Sequence, residues 1–269
     1  MYKKPYRVKR RKSIIKNRFF WAVILFLLVF SGAFYFLFIS SFFQMKKIEI
    51  SGNQKIALNQ IESLIEEKVG QKIIVFSSKS IFLADFNEIK KEFLNKFPQA
   101  EKINLKRKLP ATLVAQIIER KEAAVLDFPE KSFFIDKEGI VFEEVPKEIE
   151  GYLRISETSL NQTPGLGEQA LKKELMASIL EINLRLRDDF KIPLKEIEMV
   201  SEERLNVRTS EGWDIYFDPK KDIGWQMQKL AAVLEKVVPA EKRNDLEYIE
   251  LRFGDFAPQK YKTGGGAKE

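Results

Sequence analysis

Histidine and cysteine are both missing from the 269 residues. Without imidazole, His-based general acid–base catalysis is excluded, and without thiols so are Cys nucleophiles, disulfides and zinc sites of the Cys/His kind. Carboxylate, Ser/Thr, Lys, Arg and Tyr chemistry remains. A chain without Cys is compatible with an oxidising compartment. Acidic residues are missing from one region only. Residues 1–18 carry nine basic side chains (Lys3, Lys4, Arg7, Lys9, Arg10, Arg11, Lys12, Lys16, Arg18) and no acid. The rest holds 37 basic against 39 acidic residues, a net of −2, so the overall +7 belongs to a short tail and not to a folded domain. With 45% hydrophobic and 32% charged residues, the remainder has the composition of one or two globular domains.

Charge is also missing from Phe19 to Met45, 27 residues of which seventeen are Leu, Ile, Val or Phe. Membrane insertion of such a segment is favoured by about 5 kcal/mol or more. Trp21–Ser41 as a helix spans about 31 Å, close to the hydrocarbon thickness of a bilayer. A buried core helix would not follow nine basic residues. A cleaved signal peptide has a shorter apolar region and a small-residue cleavage site, whereas here bulky apolar residues continue past Ser31-Gly32-Ala33. The reading is an uncleaved signal anchor over 19–43 behind a basic cytoplasmic tail, 1–18. The basic side stays in the cytoplasm, so residues 46–269 face outward, and the folded part is not expected to bind nucleic acid.

Beyond the anchor, Ile48 and Ile50 alternate with polar residues, as in a strand, before a Ser51-Gly52-Asn53 turn. Leu58, Ile61, Leu64 and Ile65 form a helical stripe ended by Gly70. Ile73–Phe76 is a short apolar run. A second stripe, from Leu83 through Ile89 and Phe93 to Phe97, stops at Pro98. Strand-like segments follow at Lys102–Lys108 and Thr112–Glu119. The order strand, helix, helix, strand, strand fills about 75 residues. Further on, Phe133–Glu144 reads as two strands around Lys137-Glu138-Gly139, and Glu168–Asp188 as an amphipathic helix. Ile197–Val200 and a hairpin (Arg204–Thr209, Trp213–Phe217) come next, then a helix capped by Asp222 and a last strand, Glu247–Phe253. The fold class is α+β: a membrane helix, a β-α-α-β-β domain, and an antiparallel sheet with helices packed on it. No internal repeat is apparent.

Four segments in order carry a resemblance: IEISGN (Ile48–Asn53), FLNKFPQAEKINLKRKLPATLVAQIIER (Phe93–Arg120), FFIDKEGIVF (Phe133–Phe142) and LEYIELRFGD (Leu246–Asp255). Their sequence and spacing behind a signal anchor resemble the FtsQ/DivIB family of bacterial cell-division proteins. The chain departs from that pattern at Glu122, where a Pro is usual, and in Tyr152–Ile155. The resemblance implies a POTRA domain over 46–119, an FtsQ-like β domain over 120–260 and a flexible tail over 261–269. It implies a non-enzymatic scaffold of the division complex in the cytoplasmic membrane, at the septum. No cofactor, metal or small-molecule substrate is implied. The implied partners are FtsB/DivIC-like and FtsL-like membrane proteins.

A terminal strand is a candidate edge, whose unpaired N–H and C=O groups can accept a partner strand. Family members use the end of this strand and the residues after it, which match Phe253, Gly254, Asp255, Phe256 and Tyr261 here. Alternation directs Tyr248, Glu250 and Arg252 to the face opposite Ile249 and Leu251, which read as core, so these three are further candidates to face a partner. The basic turn Lys106-Arg107-Lys108 reads as solvated, with a contact to a partner or to lipid as the alternative. Gly165-Leu166-Gly167-Glu168-Gln169-Ala170 matches a dinucleotide fingerprint but lacks a preceding strand and a βαβ unit. The adjacent acids Glu66-Glu67, Glu143-Glu144, Asp188-Asp189 and Glu202-Glu203 read as surface, since a glycosidase needs two carboxylates facing one cleft. Asn161-Gln162-Thr163 fits a glycosylation sequon. Two rival functions are a membrane-anchored POTRA module in envelope assembly or secretion, taking partner strands near Ile73–Phe76, and a peptidoglycan hydrolase.

Overall fold

A computed structural model describes residues 17–73, 76–157 and 163–262. Most of the basic tail, the final residues, the middle of the Ile73–Phe76 run and two residues of the sequon lie outside them. The first element, α1 (Arg18–Phe38), is capped by Asn17, whose Oδ1 accepts from the Phe19 N–H at 3.0 Å. None of its residues is buried, although it is apolar on every side. A helix exposed and apolar all round is at home in lipid, not water. Among the described residues it is the one helix long and apolar enough to cross a membrane.

Contacts divide the chain into two compact units, the first made of residues up to 93 with 103–117, the second of 94–102 with 118 onward. The elements after α1 are β1 (Lys47–Ser51), α2 (Leu58–Val69), β2 (Gln71–Ile73), β3 (Phe76–Ser78), α3 (Phe86–Lys96), β4 (Ala100–Lys108) and β5 (Thr112–Glu119). β1, β5 and β4 form a three-stranded sheet in that order, with β1 parallel to β5. Parallel neighbours need a long crossover, which the two helices supply. Their apolar stripes (Ile61, Leu64, Ile65, Val69; Ile89, Phe93) are fully or almost fully buried with Leu113, Ala115 and Ile117 of β5. Asp85 caps α3 through the N–H groups of Asn87 and Glu88. Gly52 has φ +86°, and a Cβ there would sit 2.1 Å from the Ile117 carbonyl oxygen, so this turn requires glycine.

The second unit adds β6 (Ala124–Asp127), β7 (Ser132–Ile135), β8 (Val141–Val145), β9 (Arg154–Glu157), α4 (Lys173–Asp188) and β10 (Leu194–Ser201). It continues with β11 (Arg204–Thr209), β12 (Asp214–Phe217), α5 (Ile223–Lys236), β13 (Leu246–Glu250) and β14 (Gln259–Tyr261). One nine-stranded sheet runs β14-β13-β12-β11-β10-β9-β6-β7-β8. The hairpins are antiparallel as expected, but β9 is parallel to β6 and β10, and β12 is parallel to β13. The sheet is therefore mixed. Helices α4 and α5 are the crossovers that carry the chain from β9 to β10 and from β12 to β13, and a crossover returns a strand parallel to its neighbour. Met176, Ile179, Ile182 and Leu186 of α4 and Met227 and Leu230 of α5 pack against Ile155, Ile197, Val207, Ile215 and Ile249 in one core. Each such side chain contributes about 1.5–3 kcal/mol on burial. The opposite face of the central strands carries polar residues and tyrosines.

The Glu-Arg and Asp-x-x-Gly signatures meet in this unit. Arg120 Nη1 donates to Asp136 Oδ2, and its Nε donates to the Pro98 carbonyl at 3.1 Å. Asp136 Oδ1 accepts from the N–H groups of Glu138 and Ile140, closing the turn between β7 and β8. Gly139, at φ +82°, has no room for a Cβ, which would lie 2.0 Å from the Leu171 oxygen.

Candidate functional site

The expected edge strand is not at the edge. β13 ends at Glu250 and is paired on both sides, in parallel with β12 (Ile215 opposite Ile249) and antiparallel with β14 (Tyr248 opposite Lys260, Ile249 opposite Gln259). The sheet instead ends in β14, which takes in Tyr261, a residue the resemblance assigned to the tail. Three residues after a proline, with no apolar alternation, leave almost no strand signal in the sequence. The Glu250 N–H donates to the Pro258 carbonyl and the Lys262 N–H to the Asp245 carbonyl, both at 2.8 Å. Main-chain groups alternate along an antiparallel pair. Residues 258, 260 and 262 thus face β13, and the N–H and C=O of Gln259 and Tyr261 face away from the sheet.

Between β13 and β14 the chain makes a turn held from inside. Lys229 of α5, 8% exposed, directs Nζ at three carbonyl oxygens: Leu251 at 2.5 Å, Gly254 at 3.0 Å and Phe253 at 3.3 Å. Burial pushes its pKa down, Lys221 adds to this, and Asp255 and Glu250 oppose it. Lys221 Nζ takes the Arg252 carbonyl at 2.8 Å. Arg252 grips Glu250 through Nε at 2.9 Å and Nη2 at 2.7 Å, and its guanidinium lies over the Phe253 ring at 5.2 Å. Neither lysine stood out in the sequence. Lys229 adjoins the apolar stripe of α5 like any flanking surface lysine, and only the turn folding over it reveals its role.

The predicted partner-binding residues separate into two groups. Phe253 (56% exposed), Phe256 (77%) and Tyr261 (37%) project beside exposed Gly254 and Asp255. Glu250 is only 6% exposed and, with Arg252, braces the turn. Tyr248 stacks on Tyr216 of β12 at 4.8 Å, flanked by Arg204 over Tyr216 at 4.5 Å and Lys260 Nζ over Tyr248 at 5.9 Å. Desolvation raises the Tyr216 pKa, with Asp214 adding and Arg204 opposing. Ile249 and Leu251 are fully buried, as expected of core. Among the described residues the site is thus a short edge with no further strand on it, two projecting phenylalanines and a cationic–aromatic row beside them.

Other sequence candidates resolve differently. Arg107 of the basic turn is structural: Nε and Nη2 donate to the Ile81 and Ala84 carbonyls at 2.7 and 2.8 Å, and the guanidinium stacks on Phe86 at 4.1 Å. Lys108 pairs with Glu49. In the glycine-rich stretch, the Gly165 N–H donates to the Glu168 carboxylate at 2.8 Å, so an acid occupies the place a phosphate cradle would keep for its ligand. Glu202 pairs with Lys172 and Lys220 on the surface. Among the described residues no group of three or more Asp or Glu side chains is arranged to hold a metal.

Comparison with known proteins agrees with this architecture. Residues 124–252 match the family model described as Cell division protein FtsQ/DivIB, C-terminal. The match takes in β6 to β13 and stops before the projecting turn. A cell division protein FtsQ of Geotalea daltonii is 24% identical over 221 residues, 80% of this chain and 75% of that protein. One from Streptomyces bingchenggensis is 19% identical over 219 residues, 80% of this chain and 77% of the relative. Another, from Novosphingobium aromaticivorans, is 29% identical over 103 residues, which span 38% of this chain and 29% of that protein's length. With a β-α-α-β-β unit behind an apolar helix and a C-terminal sheet matched over residues 124–252, the chain is similar to the FtsQ/DivIB family of cell-division proteins.

Proposed function

We propose that this protein is a non-enzymatic, single-pass scaffold of the division complex. It keeps its basic tail in the cytoplasm and its two units outside the membrane, at the septum. It recruits FtsB/DivIC-like and FtsL-like partners by strand addition. The observation that carries the proposal is the edge of β14, on which no described strand pairs, beside exposed Phe253 and Phe256. Main-chain pairing at Gln259 and Tyr261 supplies affinity, and the aromatic side chains supply selectivity. Aromatic residues at the centre of an interface are the ones most often dominant in binding energy. Phe253, Gly254, Asp255, Phe256 and Tyr261 are the contact residues in this reading. Tyr248 lies at the margin, and Glu250 and Arg252 hold the turn in place.

Titration calorimetry of the soluble 46–269 fragment with the outer segments of the same organism's FtsB/DivIC and FtsL candidates tests it. The Phe256→Ala plus Tyr261→Ala variant is expected to bind about tenfold more weakly or worse, with unchanged unfolding. Equal affinity in parent and double variant would remove the site from this edge. No binding by either would remove the scaffold reading.

A further inference from the structure

The last turn of α1 does not run into a free linker. An α-helix leaves its last carbonyls without helical partners, and in an ordinary anchor water or lipid headgroups take them up. Here the first unit takes them up. Ser80 Oγ donates to the Leu37 carbonyl at 2.9 Å, Ser78 Oγ to the Phe38 carbonyl at 2.5 Å, and Gln44 Nε2 to the Ile39 carbonyl at 3.1 Å. Ser78 and Ser80 are both buried. The connection is closed by main-chain bonds from Ile81 N–H to the Phe43 oxygen (3.0 Å) and from Met45 N–H to the Lys79 oxygen (2.9 Å).

Around this junction lies an aromatic cluster. Phe36 stacks on Phe42 at 5.8 Å, Phe42 meets Phe43 edge-on at 4.9 Å, and Phe43 meets Phe82 at 5.1 Å. Phe42 is 51% exposed and Phe82 37%. Two exposed lysines, Lys46 and Lys79, flank the cluster. The 21 residues of α1 rise about 31 Å, so a helix that starts at one edge of the hydrocarbon layer ends at the other. The cluster then falls at headgroup depth, where aromatic side chains concentrate and lysines meet lipid phosphate.

We infer that the first unit is seated on the outer lipid surface by this junction, with Phe42 and Phe82 in the headgroup layer and Lys46 and Lys79 at the phosphates. The inference rests on α1 spanning the bilayer. A continuous hydrogen-bonded path from helix to sheet fixes the unit's orientation to the membrane.

The absence of native Cys makes single-site spin labelling of the whole chain clean. Labels would replace Phe30, Phe42, Phe82 and Glu67 by cysteine, one at a time, in nanodiscs of phosphatidylcholine and phosphatidylglycerol. Power saturation with oxygen and a water-soluble nickel chelate reads depth. The expected result is a deep label at 30, shallow lipid contact at 42 and 82, and a fully aqueous label at 67. A deep label at 30 with aqueous labels at 42 and 82 would overturn the inference alone. An aqueous label at 30 would overturn the spanning helix as well. A second measurement uses the 30/67 double label. Its electron–electron distance distribution is expected to be narrow and to broaden on Gln44→Ala plus Ser78→Ala plus Ser80→Ala. A broad distribution in the parent would also overturn the inference.

Discussion

Lys229 shows how one side chain can set the shape of a turn at the edge of a sheet. A lysine removed from water among three carbonyls is worth keeping only because those oxygens would otherwise be unpaired. Lys229→Met keeps the length and the packing on α5 but leaves the carbonyls of Leu251, Phe253 and Gly254 without their donor. Urea unfolding of the 46–269 fragment is expected to register a loss of about 1–3 kcal/mol. The Arg120–Asp136 pair is the more costly one to break. Arg120→Ala would leave a buried carboxylate that is 4% exposed, and the expected cost is about 3–5 kcal/mol by the same measurement. Glu202 supplies a pH dependence. Hydrogen bonds from Lys172 and Lys220 lower its pKa from 4.5 to about 2. Its folded value is depressed, so its contribution is present above the unfolded pKa and is lost as pH falls from about 4.5 to about 2. NMR titration of the carboxyl group should report the low value, and added salt should move it back toward 4.5, because the group is exposed.

At the scale of elements, helices and hairpins were legible in the sequence and long-range pairings were not. The stripes of α2, α3, α4 and α5 follow the 3.6-residue period, and Asp222 caps α5 as expected, its Oδ1 accepting from the Trp225 N–H at 2.7 Å. The α4 helix begins at Lys173, later than the expected Glu168, because residues 167–169 are spent on bonding to Gly139–Val141. β6 and β9 were missed. They are four-residue strands in the middle of the sheet, too short for a period to show. β14 was missed for the same reason, and with it the true edge. The alternation of main-chain groups in β14 allows a sharp test of strand addition. Gln259→Pro removes an N–H that faces outward, so it is expected to abolish partner binding while leaving the unfolding midpoint nearly unchanged. Lys260→Pro removes an N–H that faces β13 and is expected to lower the midpoint. Binding that survives Gln259→Pro would mean the partner does not pair with this edge.

For the whole molecule, the sequence puts its net cationic charge in residues 1–18, up to the first residue of α1, and a slight negative balance after them. Orientation in the membrane should therefore be reversible by charge alone. Replacing the basic residues of 1–18 by Ser, with Lys46 and Lys47 kept, is expected to reduce the fraction of chains whose residues 46–269 are open to protease added to intact spheroplasts. Each unit has its own arrangement of helices on a sheet, and the second depends on a narrow feature. β9 joins β6-β7-β8 to β10 and the strands beyond it through parallel pairs on both sides, in four residues around the buried Ile155. If a partner holds β14 while the chain is pulled where it enters at β6, tension crosses the sheet from side to side. Hydrogen bonds loaded in that direction yield one after another and not all at once. β9 lies on that path with three paired residues on each side, as few as β13 has with β12 and with β14, so these short pairings together would set the force at which the second unit gives way.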